Sequence, residues 1–207
     1  MAAMSGIAEG DCSRDDPGRA GFLNCCGVNK KALASARQVH GRKIVSVEAG
    51  GGVGEADGLI TNTPGVALGI TVADCVPVLL FDPRAGACGA VHAGRAGTEL
   101  NIAGAAVSAL ATAYGSNPPD IVACVGPSAG PCCYEVSEEM AAAFAGLGLP
   151  VQGRNLDLWG ANRMQLEAAG VPANQISISG TCTICGTGFH SYRSGDKGAR
   201  NMALILL

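Results

Sequence analysis

The sequence predicts an α+β fold, a single layered mixed α/β domain with mixed sheets and about three main helices. Three observations carry this. Two apolar runs of strand length, 76–82 and 87–92, flank Pro83-Arg84-Ala85-Gly86, a turn that makes a hairpin of them. Stretches of helical spacing then alternate with further short apolar runs. No internal repeat is present, and 207 residues suffice for one sizeable core. Residues 1–22 are expected to be a loosely ordered N-terminus, with 23–207 the single domain.

Taken in order, residues 1–22 are polar, Gly- and Asp-rich and without periodicity. Residues 30–37, KKALASAR, are Ala-rich and read as one or two helical turns. Gln38-Val39-His40-Gly41 leads into 43–48, whose alternation reads as a strand. Residues 49–58 lack the Gly-Lys-Ser/Thr ending of a phosphate loop, and Glu55 breaks G-x-G-x-x-G. They read as a flexible connection, with Asp57 a solvated acid. Residues 59–61 and 66–70 are short strands about Pro64-Gly65 and lead into Asp74-Cys75.

Asn101 caps a helix over 102–114, with Ile102, Ala106, Leu110 and Tyr114 at helical spacing and Gly115 closing it. Residues 121–125 read as a buried strand and 126–133 as a tight turn. A second helix begins at Ser137-Glu138-Glu139, where the helix dipole favours acid. A third runs over 156–169, and 176–179 and 202–207 are the last strands.

Charged residues are 15%, aromatics 4% and the formal charge −3, so neither an anion-binding surface nor a base-stacking one is indicated, and nucleic acid is excluded as a partner. No apolar run approaches the ~20 residues of a membrane span, and the start has neither a basic segment nor an apolar signal core. The expected location is the cytoplasm. There the ten cysteines are mostly buried thiols, with a few possible metal ligands. Cys25-Cys26 and Cys132-Cys133 are adjacent, and neighbours on a strand face opposite ways, so neither pair reads as a chelate.

The hairpin register carries the chemistry. If Asp82 pairs with Ala87, position 77 lies opposite His92, and Cys75 shares the face of 77. Cys75 and His92 are then diagonal neighbours at roughly 7 to 8 Å between backbones, from which both reach one ion. A buried Cys beside a hydrogen-bonded His is the alternative. Of the three histidines, His40 and His92 each stand beside a Gly that leaves room for a ligand. With Cys75 they make a three-ligand set, the number that catalytic zinc sites use. His190 reads as a half-buried strand residue.

Two rival readings are weaker. Gly126-Pro127-Ser128-Ala129-Gly130 matches G-x-S-x-G, and Ser128, Asp157 and His190 follow the chain order of a hydrolase triad. An elbow needs a helix right after the Ser, which Pro131 delays. Cys182-Thr183-Ile184-Cys185 is a lone C-x-x-C without a second pair, so a structural zinc ribbon is unsupported.

Together, QVHG at 38–41, ADGLIT at 56–61, TVADCVPVLLFDP at 71–83, VHAG at 91–94, GPCCYEV at 130–136, LDLWGANRMQL at 156–166, and CTIC with FHSYR within 182–193 resemble the polyphenol oxidase or laccase-domain family. Its members are also described as purine nucleoside phosphorylases and as a peptidoglycan editing factor. The resemblance covers about residues 37 to 207. It implies that His40, Cys75 and His92 bind one catalytic zinc ion, and that the GPSAGPCCY segment is not a nucleophile elbow.

The activity so implied is zinc-dependent chemistry on purine nucleosides: phosphorolysis of adenosine- or inosine-type nucleosides, deamination of adenosine, or both. The partners are then a purine nucleoside and phosphate, with the chain a monomer or homodimer. Arg95 and Arg193 are the phosphate candidates, because a guanidinium fork matches two phosphate oxygens. Gln38 and Asp74 are candidate substrate contacts or supports of the ligands. A copper-dependent, laccase-like polyphenol oxidase is the alternative, although three histidines are too few for a multicopper cluster. A non-catalytic, metal-stabilised module in peptidoglycan precursor editing is a further one, and would close the metal with a fourth protein ligand. Two departures stand out. The family's HAGWRG is His92-Ala93-Gly94-Arg95-Ala96-Gly97 here, and the region before QVHG is shorter than usual.

Overall fold

The computed structural model describes residues 1–14 and 16–207. Its strands are β1 (Ala2–Met4), β2 (Leu33–Arg37), β3 (Ile44–Ser46), β4 (Gly51–Glu55), β5 (Gly58–Thr61), β6 (Ala67–Val72), β7 (Val76–Asp82), β8 (Ala87–Ala93), β9 (Val122–Val125), β10 (Val151–Gln152), β11 (Asn155–Leu156), β12 (Ile176–Ile178) and β13 (Asn201–Leu206). The α-helices are α1 (Pro17–Cys25), α2 (Arg95–Glu99), α3 (Ile102–Tyr114), α4 (Glu138–Gly146) and α5 (Leu158–Ala168). The mixed α/β class is as the sequence predicts, and the three long helices stand where the periodicity puts them, capped by Asn101, Ser137 and Asp157. Two more, α1 and α2, are short or lack a clear stripe.

A five-stranded sheet of order β1-β13-β6-β2-β4 faces a six-stranded sheet of order β12-β9-β7-β8-β5-β3, and both mix parallel and antiparallel neighbours. Alternation along each strand sorts side chains into layers. Val78, Leu80 and Val91 face Ile102, Leu110, Phe144 and Leu166 of the helices. Leu59, Leu79 and Ala90 fill the gap between the sheets with Leu68, Ile70 and Ile205. Leu33, Ala67 and Leu204, on the outer face of the five-stranded sheet, pack on Phe22 and Leu23 of α1. The order is therefore helix, sheet, sheet, helices. Each fully buried Leu or Phe contributes about 1.5–3 kcal/mol. No helix among the described residues is long and apolar enough to cross a membrane.

Three local expectations differ from what is observed. Residues 30–37 make only a 3-10 turn, Lys30–Ala32, before becoming β2. Parallel pairing of β2 with both β4 and β6 overrides the helix preference of Ala. The Gly-rich 49–58 stretch carries β4, and glycine is what admits it: a Cβ on Gly50 would lie 2.1 Å from the Lys31 carbonyl oxygen. Within 1–22, where a loose segment was expected, β1 pairs with β13, buried Ser5 accepts from the Met202 N–H at 2.7 Å, and Asp16 caps α1. These elements are too short to show a period in sequence, and their order comes from completing a sheet edge.

Candidate metal centre and its pocket

The hairpin has the register expected of it, with Asp82 opposite Ala87 and Pro77 opposite His92. Cys75 just precedes β7 and His92 lies near the end of β8, so both side chains leave the mouth of the layer between the sheets. His40 arrives from the loop after β2 with φ of 59°, a left-handed conformation uncommon for a residue with a Cβ. The donor atoms of His40, Cys75 and His92 lie within 4.8 Å of one another, and the two imidazoles meet edge to face with centroids 4.8 Å apart. A Cβ on Gly94 would come 3.0 Å from both Cys75 Sγ and His40 Cδ2, so glycine there keeps the donors clear.

Asp57 explains the strained backbone. Its carboxylate is buried and accepts from three successive N–H groups, those of Val39 (3.1 Å), His40 (2.9 Å) and Gly41 (2.7 Å). Consecutive N–H groups curled around an anion form a nest, and the left-handed His40 is what curls them. The same carboxylate accepts a hydrogen bond from His92 Nδ1 at 2.8 Å. Since a carboxylate only accepts, Nδ1 carries a hydrogen and Nε2 is the ring nitrogen left to face Cys75. One buried acid thus sets the backbone of one histidine and the ring of the other. The expectation of a solvated Asp57 is overturned, because its burial depends on strand pairing that a Gly-rich stretch does not advertise.

The electrostatics follow. Burial pushes the Cys75 thiol up, but hydrogen bonds from His40 and His92 outweigh it and bring the group to about 6. Burial pushes His92 down, but Asp57 and Cys75 outweigh that and raise it to about 9. Burial likewise opposes the Asp57 charge, yet the His92 ring and the Gly41 N–H hold it below the ordinary carboxylate range. Near neutral pH the three form a carboxylate–imidazolium–thiolate chain. A tetrahedral zinc ion with bonds of about 2.0–2.3 Å spaces its donors about 3.3–3.8 Å apart. Two imidazoles, one thiolate and a carboxylate behind one imidazole are a donor set of that kind. Among the described residues the cluster has three members, which leaves a fourth position open.

These side chains floor a cavity of about 490 Å³, within the range of small-molecule sites. Its walls include Tyr134, Tyr192, Arg193 and Arg200. The Arg193 guanidinium lies 4.8 Å over the Tyr134 ring and donates to the Glu135 carbonyl at 2.8 Å. Gln38 and Asp74 reach the cavity, but their polar atoms are engaged by the protein. Gln38 exchanges hydrogen bonds with the Thr71 backbone at 2.7 and 2.8 Å. Asp74, at φ of 83°, accepts from Thr183 Oγ1 and the Arg193 N–H, each at 2.7 Å. Both therefore support the ligand-bearing segments. Arg95 opens α2, pairs with Glu99 at 2.6 Å and is absent from the cavity lining. Arg200, which no motif singled out, lines it instead.

The rival triad is not assembled. Buried Ser128 donates to the Gly126 carbonyl at 3.1 Å and accepts from Trp159 Nε1 at 2.7 Å. Asp157 caps α5, and His190 pairs with Asp196 and is not among the cavity residues. Ser128→Ala is expected to leave turnover within a few-fold of wild type while costing about 1–3 kcal/mol of stability, since the half-buried Trp159 N–H loses its acceptor. Denaturant titration beside a turnover assay checks this; a folded variant without turnover would restore the serine reading. The cysteine readings are corrected too. Cys132 and Cys133 lie in a turn, not a strand, and supply the second pair that Cys182 and Cys185 lacked in sequence.

Residues 14–207 match the profile of a family described as multi-copper polyphenol oxidoreductase laccase. A protein of Deinococcus radiodurans named purine nucleoside phosphorylase is 43% identical over 194 residues, which cover 88% of this chain and 75% of that protein. A Bacteroides thetaiotaomicron protein of the same name is 38% identical over 163 residues, 73% of this chain and 60% of that one. The crystal structure of YlmD from Geobacillus stearothermophilus superposes with a TM-score of 0.85 at 34% identity, covering 97% of this chain and 83% of that chain.

Proposed function

Because the chain belongs to the multi-copper polyphenol oxidoreductase laccase family, among whose relatives are proteins named purine nucleoside phosphorylase, we propose that it is a zinc-dependent purine nucleoside enzyme, with residues 23–207 as one catalytic domain. The supporting observation is the convergence of His40, Cys75 and His92 on a cavity that also offers two phenol rings and two guanidinium groups. When bound, zinc with an open fourth position supplies Lewis-acid activation of water or of a substrate oxygen. The chain's own residues do the rest. Tyr134 and Tyr192 present ring faces against which a flat base stacks. Arg193 and Arg200 suit a phosphate, whose attack on the ribose C1′ releases the free base and leaves ribose 1-phosphate. The Arg193 N–H is held by Asp74, the neighbour of Cys75, so the anion-binding and metal-binding arms share one anchor.

The open fourth position favours catalysis over a closed, purely structural ion. The oxidase reading needs a multinuclear copper cluster, and with His190 engaged by Asp196 the histidines furnish a single mononuclear set.

Release of free base from inosine against phosphate concentration, beside ammonia release from adenosine, tests the reading. A charge-assisted contact is worth about 1.5–3 kcal/mol, so Arg193→Ala is expected to raise the phosphate KM roughly ten- to hundredfold. Ammonia release, which uses no phosphate, is expected to hold. Equal losses in both reactions, or no turnover of any purine nucleoside by the zinc-loaded wild type, would overturn it.

A further inference from the structure

Four of the chain's ten cysteines lie together outside the cavity lining and have no part in the chemistry above. The Sγ atoms of Cys132, Cys133, Cys182 and Cys185 are within 4.8 Å of one another, and those of Cys132 and Cys185 are 3.8 Å apart. Metal–sulfur bonds of about 2.3 Å in a tetrahedron place sulfurs about 3.8 Å apart. A disulfide needs about 2.05 Å.

The backbone brings them there by local means. The N–H groups of Cys133 and Tyr134 both donate to the Gly130 carbonyl at 3.0 Å, so residues 130–134 curl and the adjacent thiols need not face opposite ways. Across from them the Gly186 N–H donates to the Cys182 carbonyl at 2.9 Å, a helical turn that sets residues 182 and 185 on one side. Only glycine fits at 186, where a Cβ would lie 2.3 Å from that oxygen. Two backbone bonds, Ser128 to Thr181 (3.2 Å) and Thr183 to Ser128 (3.0 Å), join the loops.

One of the four sulfurs also receives a backbone N–H suited to a thiolate. The Gly130 N–H points at Cys182 Sγ from 3.3 Å. Four thiolates this close cannot coexist without a cation among them.

We propose that Cys132, Cys133, Cys182 and Cys185 bind a second zinc ion, fully coordinated by thiolates and therefore structural. It clamps the loop that carries the cavity residue Tyr134 to the loop that supports Asp74. Tyr134 follows Cys133 in the chain, and Thr183, between the paired cysteines, donates its hydroxyl to Asp74 beside Cys75. The thiols lose their protons as the ion binds, so this affinity rises with pH.

The test is metal analysis of the full chain purified under reducing conditions. Two zinc ions per chain are expected for wild type, and one each for Cys132→Ser, Cys185→Ser and Cys75→Ala. The first two positions are solvent-exposed, and a zinc ion retained at the histidine site would show that those variants still fold. Cobalt loaded into Cys75→Ala should give the intense visible and near-ultraviolet bands of a tetrahedral thiolate site, and none in Cys75→Ala/Cys185→Ser. One zinc in wild type and Cys132→Ser alike, stoichiometric iron in place of the second zinc, or a Cys132–Cys185 disulfide in the freshly reduced protein would overturn the proposal. A wild type with one zinc that is lost in Cys132→Ser but kept in Cys75→Ala would sustain it and remove the histidine site instead.

Discussion

Cys75→Ala is expected to lose the zinc of the histidine site and to bring nucleoside turnover to background. Apparent zinc affinities of about 10–16 kcal/mol for four-ligand sites divide into about 2.5–4 kcal/mol per ligand, so deleting one weakens binding roughly fifty- to a thousandfold. The deletion also strips charge from the site. Cys75, at about 6, is the anion that balances the His92 imidazolium at neutral pH. Two imidazoles remain, a set too weak to retain zinc against dilution. His40→Ala and His92→Ala should follow it in kind. The check is zinc content after gel filtration with turnover on the same sample. Full occupancy in all three variants would mean that the donors do not hold the ion.

Asp57→Asn is expected to be nearly as damaging, although its side chain is not itself a metal ligand. An amide presents an N–H₂ group where the carboxylate accepted from residues 39–41 and from His92. At least one charge-assisted bond, about 1.5–3 kcal/mol, is lost from stability. Zinc affinity should fall about ten- to hundredfold, the usual cost of removing a partner behind a metal-binding imidazole. The pH profile separates this from general loosening. In wild type, between about 6 and about 9, Cys75 is already a thiolate while His92 is still protonated. Zinc then displaces one proton, and affinity climbs about one decade per pH unit. Below that window a second proton must leave Cys75; above it the curve flattens. Without Asp57, the largest influence that raises His92 is gone and its pKa falls, so flattening begins at lower pH. Because Asp57 itself is held below its unfolded value, its contribution to stability is present above about pH 4 and is lost as pH falls through its lowered pKa. The two proteins should therefore converge in acid. Zinc competition titrations at a series of pH values, and urea midpoints, read both effects; matching profiles would show that Asp57 does not orient His92.

What the sequence discloses here follows from the range of the interactions. Strand alternation and the loop of Pro83 to Gly86 fix the pairing of Cys75 with His92, because both are set within twenty residues. Helix caps at Asn101, Ser137 and Asp157 are local too, and the three long helices are legible from them. Leu33 to Arg37 is not, since its Ala-rich stretch becomes a strand only by lying between β4 and β6. Asp57 is hidden for the same reason: its value lies in burial and in the left-handed turn at His40, and neither leaves a mark in residue type. The motifs shared with the laccase-domain family point to the two histidines and the cysteine, but they do not distinguish an arginine that lines the cavity from one paired to a helix neighbour. Arg95 and Arg200 differ in just that respect. The four clustered thiols come from loops fifty residues apart, and adjacency in the chain argues against them until the turn at 130–134 is known.

The position of β13 has a consequence for synthesis. It lies between β1 and β6, with Ala2 opposite Ile205 and Ile70 opposite Ala203. A nascent chain can complete the hairpin and the helices as they emerge, yet until residues 201–206 leave the ribosome two strands of the five-stranded sheet keep open edges. Unpaired edges of that kind recruit other chains. The interval before β13 emerges is thus when this protein is most exposed to aggregation, and truncation within β13 would be felt as insolubility long before it was felt as lost chemistry.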